Sequence, residues 1–375
     1  MQHPEFALTD QLIYLNHAAV GPWPVRTTQA VCQFAEQNSQ YGSHFYPDWL
    51  KKQTELRQQF QRLLNAPSAD DIALVKNTSE ALSFVAFGLA WRVGDNIVSS
   101  DQEFPSNRLP WQALADQGVE FRQADLNSHD SPEEALFALV DERTKLLTIS
   151  SIQFASGLRL DLQKIGAYCR EHGVLFCVDA IQSLGAVEFD AQACQADFVM
   201  ADGHKWMCGP EGLGVFYTTQ AAREQLKLTQ YGWHMMKDIH NYENKPWEIH
   251  PTARRFECGS PNMLTIHALS ASLSLLLEIG MQDVESAVLA RSDYLRAAIE
   301  ANDQLQLLCK PKGALKSGIV IFKHHAGSNE KLYRHLHAQG VVCALRGGGI
   351  RFSPHFYNSF AELDRAVAIA ANCQA

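Results

Sequence analysis

"DFVMADGHKWMCGPEGLG", residues 197–214, is the stretch that decides the fold. Its first half is a short apolar run of the length of a strand covered on both faces, and it ends in an acid, a glycine, a histidine and a lysine ahead of a glycine-studded segment. Lysine is almost never buried unless it is paired or used in chemistry, so Lys205 at the end of such a strand marks that end as a reactive one. A second stretch has the same form: "VLFCVDAIQS", residues 174–183, runs apolar into Asp179.

Outward from these two, "IALV", "NIVSS", "VEFRQ", "KLLTISS" and "GVFYTT" give further β-rich runs between residue 70 and about residue 218, with helical segments between them. Such alternation predicts βαβ units and a mostly parallel sheet, whose ligands bind outside the carboxyl ends of the strands. Met263, Ile266, Leu269, Leu273, Leu276 and Leu277 then recur at helical spacing, which predicts a long helix bridging two domains. Beyond it "LQLLCKP", "SGIVIFKHH", "VVCAL" and "GIRFSP" are expected strands, and Ser359 with Glu362 is a capping box opening the last helix. The expected organisation is α/β, with a large domain over residues 15–262 and a smaller C-terminal α/β domain over residues 263–375 that also takes in residues 1–14.

The 375 residues carry a net charge of -9, so there is no basic excess for nucleic acid or an anionic membrane, and neither is an expected partner. Nine scattered cysteines without a CxxC pair fit a reducing cytoplasm better than a disulfide framework or a zinc site, and no metal is expected. Neither His324 with His325 nor His335 with His337 gathers a tetrahedral set. The N-terminus lacks the pattern of a signal peptide, and no segment has the uninterrupted apolar length of a membrane span.

Asp179 alone would be a helix cap or a buried structural acid. Paired with Lys205 it suggests more, because one cofactor, pyridoxal 5'-phosphate (PLP), needs an amine for its aldehyde and a carboxylate for its pyridine nitrogen. The phosphate would find a helix N-terminus in "VKNTSEALSFVAFG", residues 75–88, although Asn77 and Glu80 could equally form a capping box there.

Taken together, "YLNHAAVGP" (14–22), "NTSEA" (77–81), "QEFPSN" (102–107), "VDAIQS" (178–183), "DGHKW" (202–206), "RRFECGSPN" (254–262) and "IRFSPHFYN" (350–358) resemble, in order and spacing, the class V aminotransferase group of PLP-dependent fold-type I enzymes. That group includes cysteine desulfurases, selenocysteine lyases, kynureninases and isopenicillin N epimerase. The resemblance implies Lys205 as the cofactor-linked lysine and proton shuttle, with Asp179 on the pyridine nitrogen and Gln182 on the phenolic oxygen. It implies Thr78, Ser79 and His204 on the phosphate, Phe104 stacked on the ring, and Ser260 reaching the phosphate of a partner subunit, hence a homodimer with a shared active site. It further implies Arg351, and secondarily Arg346, on the carboxylate of a small amino acid substrate.

Two features depart from the desulfurase pattern. In "VVCALRGGGIRFS" Cys343 falls inside an apolar run ahead of Arg346 instead of in a catalytic loop, so the expected role of that cysteine is packing. Asp202 stands where desulfurases often carry a serine near the phosphate. "RGGGIR" lacks the strand and helix around it that a nucleotide loop needs. His17, Trp233 and His234 could shape the substrate entrance or merely pack. The leading expectation is a C-S lyase that eliminates a sulfur group from the β-carbon. The alternatives are an epimerase or aminotransferase of the isopenicillin N epimerase-like branch and a catalytically silent scaffold homologue.

Overall fold

The computed structural model of the chain describes residues 3–239, 243, 246–308 and 315–373. The first strand, β1 (Ile13–Tyr14), is short and is followed by two long helices, α1 (Val25–Tyr41) and α2 (Tyr46–Leu64). The large sheet consists of β2 (Ile72–Val75), β3 (Asn96–Ser100), β4 (Glu120–Ala124), β5 (Thr144–Ser150), β6 (Leu175–Asp179), β7 (Phe198–Asp202) and β8 (Gly214–Thr218). Their order is β2-β8-β7-β6-β5-β3-β4, and every pair is parallel except those made by β8.

The central strands lack polar alternation because both faces are covered. Phe176 and Val178 of β6 enter one apolar cluster while Cys177 enters another, and in β7 Val199 and Ala201 are separated from Phe198 and Met200 in the same way. Side chains two apart share a face, so each buried strand feeds a core on either side of the sheet. With the flanks closed, the open ground is at the strand ends. Asp179 is the last residue of β6, Asp202 the last of β7, and α3 (Thr78–Gly88) begins just after β2.

A smaller antiparallel sheet contains β9 (Leu305–Leu307), β10 (Val320–His324), β12 (Ala344–Arg346) and β13 (Gly349–Phe352), in the order β12-β13-β10-β9. The apolar run 341–345 is not one strand: β11 (Val341–Val342) leaves this sheet to pair in parallel with β1, and β12 resumes after Cys343. The expected strand "LQLLCKP" passes outside the described residues at position 309. The expected long helix is Met263–Ile279. Its buried residues Ile266, Leu269, Leu273 and Leu276 belong to the same apolar cluster as β6 and β7, and in the next helix, Met281–Glu300, Val288 joins that cluster while Leu295 joins the core of the small sheet. Met281–Glu300 thus contributes to both cores.

Candidate active site

The carboxyl ends of β2, β6 and β7 meet the N-terminal segment and the β12–β13 hairpin around a cavity of about 310 Å3. Thr78, Ser79, Phe104, Asp179, Gln182, His204, Lys205, Arg346 and Arg351 all line it. The sequence places these residues on five separate segments, and the fold brings them to one space.

Lys205 is held from below by tight backbone contacts. Gly21 donates its N–H to the His204 carbonyl at 2.7 Å, and a Cβ on Gly21 would stand 2.2 Å from the Lys205 carbonyl oxygen, so only glycine allows the N-terminal segment this close. Gln182 ties the two segments together: its amide donates to the Ala18 carbonyl at 3.0 Å and its oxygen accepts from the Trp206 indole at 2.8 Å. Lys205 Nζ lies 5.5 Å from the centroid of the Phe104 ring, which meets Phe154 edge to face.

Phe104 follows Glu103, a buried carboxylate that accepts hydrogen bonds from Asn107, Ser150 and Gln153. Asp179 is buried as deeply, but among the described residues its carboxylate accepts only the Ile181 backbone N–H, at 3.0 Å. Burial first, and the Glu103 charge after it, raise the Asp179 carboxyl above the usual carboxylate range, whereas burial lowers the Lys205 amine and Arg351 lowers it further. A carboxylate so poorly compensated calls for a cationic or N–H partner from the cavity.

Asn77 caps α3 by accepting from the Glu80 N–H at 2.9 Å. The expected reciprocal bond is absent, because the Glu80 carboxylate accepts instead from the Lys76 N–H at 2.7 Å. The first two residues of α3 line the cavity: Thr78, whose buried Oγ1 has no hydrogen-bond partner, and Ser79, whose hydroxyl donates to Ser106 at 2.8 Å.

The two arginines are placed by a hairpin. Gly347 and Gly348 both have positive φ, 62° and 76°, as a two-residue turn matched to strand twist requires, so "RGGGIR" turns a strand instead of cradling a nucleotide. Arg351 is buried in β13, donates one bond to the Phe154 carbonyl at 2.8 Å, and leaves its Nε unpartnered. Burial, with Arg346 adding to it, pushes its guanidinium down to about 10. Two guanidinium groups thus line one cavity, and such planar forks of donors can bind a carboxylate.

Ser260 stands apart from the other site residues expected from the sequence. It is exposed and lines a different depression, with Lys76, Glu80 and Cys258, outside the cavity of its own chain. His17 does not line the cavity either: it is fully buried, with its ring nitrogens on the Ser353 carbonyl (2.9 Å) and the Tyr357 hydroxyl (2.6 Å). His234 is buried 3.8 Å from Glu257. Trp233 does not line the cavity among the described residues, and the stretch 231–247 expected at the entrance lies partly outside them. Phe154 and Glu211 also line the cavity and were not anticipated; Phe154 follows the end of β5, where the strand-end rule pointed.

The residues present fit PLP. An amine, an under-compensated acid, an aromatic face and an open helix N-terminus surround one cavity, and Thr78 Oγ1, Asp202 Oδ1, His204 Nδ1 and Arg351 Nε are buried there without hydrogen-bond partners.

The family model of Aminotransferase class-V matches residues 13–365. A probable cysteine desulfurase of Methanothermobacter thermautotrophicus is 30% identical, over 94% of this chain and 92% of that protein. Another from Pyrococcus abyssi is 28% identical over 97% and 95%. Among solved structures, the cystine C-S lyase C-DES superposes with a TM-score of 0.90 at 23% identity, over 98% of this chain and 99% of that one. A cysteine desulfurase from Escherichia coli gives 0.87 at 22%, over 99% and 96%. The chain belongs to the aminotransferase class-V family and is a PLP-dependent enzyme with the fold-type I architecture of that family.

Proposed function

We propose that this enzyme is a C-S lyase, removing a sulfur leaving group from the β-carbon of a small amino acid. One observation carries the reading: the cavity joins an amine, an acid and two guanidinium groups, and among the described residues, which exclude Cys309, no cysteine lines it. Cys343, the cysteine closest in sequence to the arginines, is buried, and burial pushes its thiol up to about 12, far from the thiolate that sulfur transfer to an enzyme requires. The relatives named as cysteine desulfurases and the neighbour named as a cystine C-S lyase support chemistry at a carbon–sulfur bond.

When bound, PLP supplies an aldehyde for amines and a ring that takes up the electron pair left at the substrate's α-carbon. In this reading Thr78, Ser79 and His204 hold the phosphate and Phe104 covers the ring. Asp179 keeps the ring nitrogen protonated, and Gln182, already fixed by Trp206 and Ala18, directs its remaining N–H to the phenolic oxygen. Arg351 and Arg346 bind the substrate carboxylate. Lys205, whose proton burial loosens, takes the α-proton at Nζ and returns a proton to the departing sulfur. Ser260, exposed and away from its own cavity, serves the phosphate of a second copy.

The test is product analysis with reconstituted enzyme, supplied in turn with cysteine, cystine and S-alkylcysteines. Pyruvate and ammonia in equal amounts are expected, undiminished after alkylation of accessible thiols and absent in Lys205→Ala. Alanine as the product, with activity lost on alkylation, would identify a desulfurase and overturn the reading. So would an oxo acid that keeps the donor's side chain, or α-hydrogen exchange without consumption of the amino acid.

A further inference from the structure

Asp202 is an acid in a cavity that must accept a phosphate, where an unshielded carboxylate would repel it. Asp202 is the last residue of β7 and His204 follows in the turn after it, and Gly203 between them packs so closely on Leu269 that a Cβ would meet that side chain at 2.9 Å. The His204 Nδ1 lies 3.1 Å from Asp202 Oδ1. Both atoms are buried, and neither completes a hydrogen bond, so the close approach is bent off the N–H direction.

We propose that Asp202 is a positioning residue that acts through His204: it fixes Nδ1 as a donor toward the carboxylate and turns Nε2 into the cavity as a donor to the phosphate of the cofactor. The inference rests on the PLP reading of this cavity. An imidazole that donates from both nitrogens carries the positive charge, which here stands between the carboxylate and the phosphate and shields one from the other. The pair thus converts an acid that should repel the phosphate into part of its anchor.

Pyridoxal, which shares the aldehyde and ring but lacks the phosphate, separates this role from any effect of Asp202 on the nearby amine of Lys205. Dissociation constants of PLP and of pyridoxal are measured by their visible absorbance on wild type, Asp202→Asn, Asp202→Ser and His204→Gln. The expected result is a fall of about tenfold or more in the preference for PLP over pyridoxal in Asp202→Ser and His204→Gln, with pyridoxal binding unchanged. Asp202→Asn keeps an acceptor for Nδ1–H without the charge and should fall between. In Asp202→Ser/His204→Gln together the loss should be no greater than in His204→Gln alone, since one residue acts through the other. Equal or tighter PLP binding by Asp202→Ser would overturn the proposal, as would an equal weakening of both ligands. Failure of the wild type to bind PLP at all would instead overturn the cofactor reading on which it rests.

Discussion

Arg351→Met is expected to make the cofactor-free protein more stable and the enzyme nearly inactive. The side chain is 3% exposed, has one hydrogen-bond partner, the Phe154 carbonyl, and faces Arg346 across a cavity. Burial, and Arg346 after it, bring its guanidinium down to about 10. A fall of that size from the ordinary arginine range corresponds to roughly 3 kcal/mol against the charged form in the folded state. The sign follows from the direction: a base with a lowered folded value destabilises the fold fully below about pH 10 and less above it. Methionine removes this penalty and keeps much of the packing, but forfeits about 1 kcal/mol of hydrogen bonding. The net gain is about 1 to 2 kcal/mol, constant across neutral pH and closing as pH rises beyond 10. Against this, a substrate carboxylate loses its buried partner, which costs about 3 kcal/mol or more, or a hundredfold or more in kcat/KM. Denaturant titration of the cofactor-free proteins and steady-state kinetics of the loaded ones check the two halves. A variant less stable than wild type, or one whose kcat/KM falls by less than about fivefold, would refute the picture of an arginine held charged for a missing anion.

Gly21→Ala places a methyl group 2.2 Å from the Lys205 carbonyl, so the N-terminal segment must retreat; about 1 to 3 kcal/mol of stability and a clear loss of PLP affinity are expected, measured by thermal melts and absorbance titration. Cys343→Ala should leave kcat within about twofold, and in wild type a thiol-specific reagent at neutral pH should label exposed Cys32 while Cys343 stays unmodified. Arg57→Met strands the buried Glu257 carboxylate, whose bidentate partner it removes, and should cost about 3 to 5 kcal/mol at neutral pH. Burial raises the Glu257 carboxyl, but Arg57 more than offsets this and holds it below the usual range; the wild-type advantage is therefore present at neutral pH and shrinks as pH falls through that group, which urea titrations from neutral to acid pH would follow.

The central strands of the large sheet were legible because burial on both faces leaves a mark in one dimension, an apolar run bounded by turn residues, whereas the edge strand β4 is partly exposed. The reactive ends were legible for the same reason, since Asp179 and Lys205 interrupt apolar runs where nothing about packing asks for a charge. What could not be read was set by contacts between distant segments. The run 341–345 is uniformly apolar, yet β11 is drawn off to β1 while β12 pairs with β13, and no local pattern records that division. Glu80 fits a capping box by spacing, but its carboxylate goes one residue further back, to Lys76. Phe154 carries no signature beyond following a strand. It lies in the cavity because the β12–β13 hairpin leans on its loop, with Gly347 so close to Ala155 that a Cβ would stand 2.1 Å from the carbonyl oxygen. Asp202 was visible as an anomaly, and its explanation needed the 3.1 Å approach to His204.

The balance of charge in the cavity explains why so many of its groups are left incomplete. Lys205, Arg346 and Arg351 face Asp179, Asp202 and Glu211, yet the described ion pairs join none of these six to one another. Of these, Asp179, Asp202 and Arg351 are buried, and in a structural core such groups would be paired, because an unpaired buried charge is among the most destabilising features a fold can hold. Here the deficits have an order in space: a donor-rich helix end by Thr78, an under-compensated acid at Asp179, and a carboxylate-free pair of guanidinium groups at the hairpin. A dianion, a protonated ring nitrogen and a carboxylate would answer these in turn. On the function proposed above, the site is complementary to a loaded cofactor with an amino acid on it, and the protein holds part of its stability in reserve for that complex.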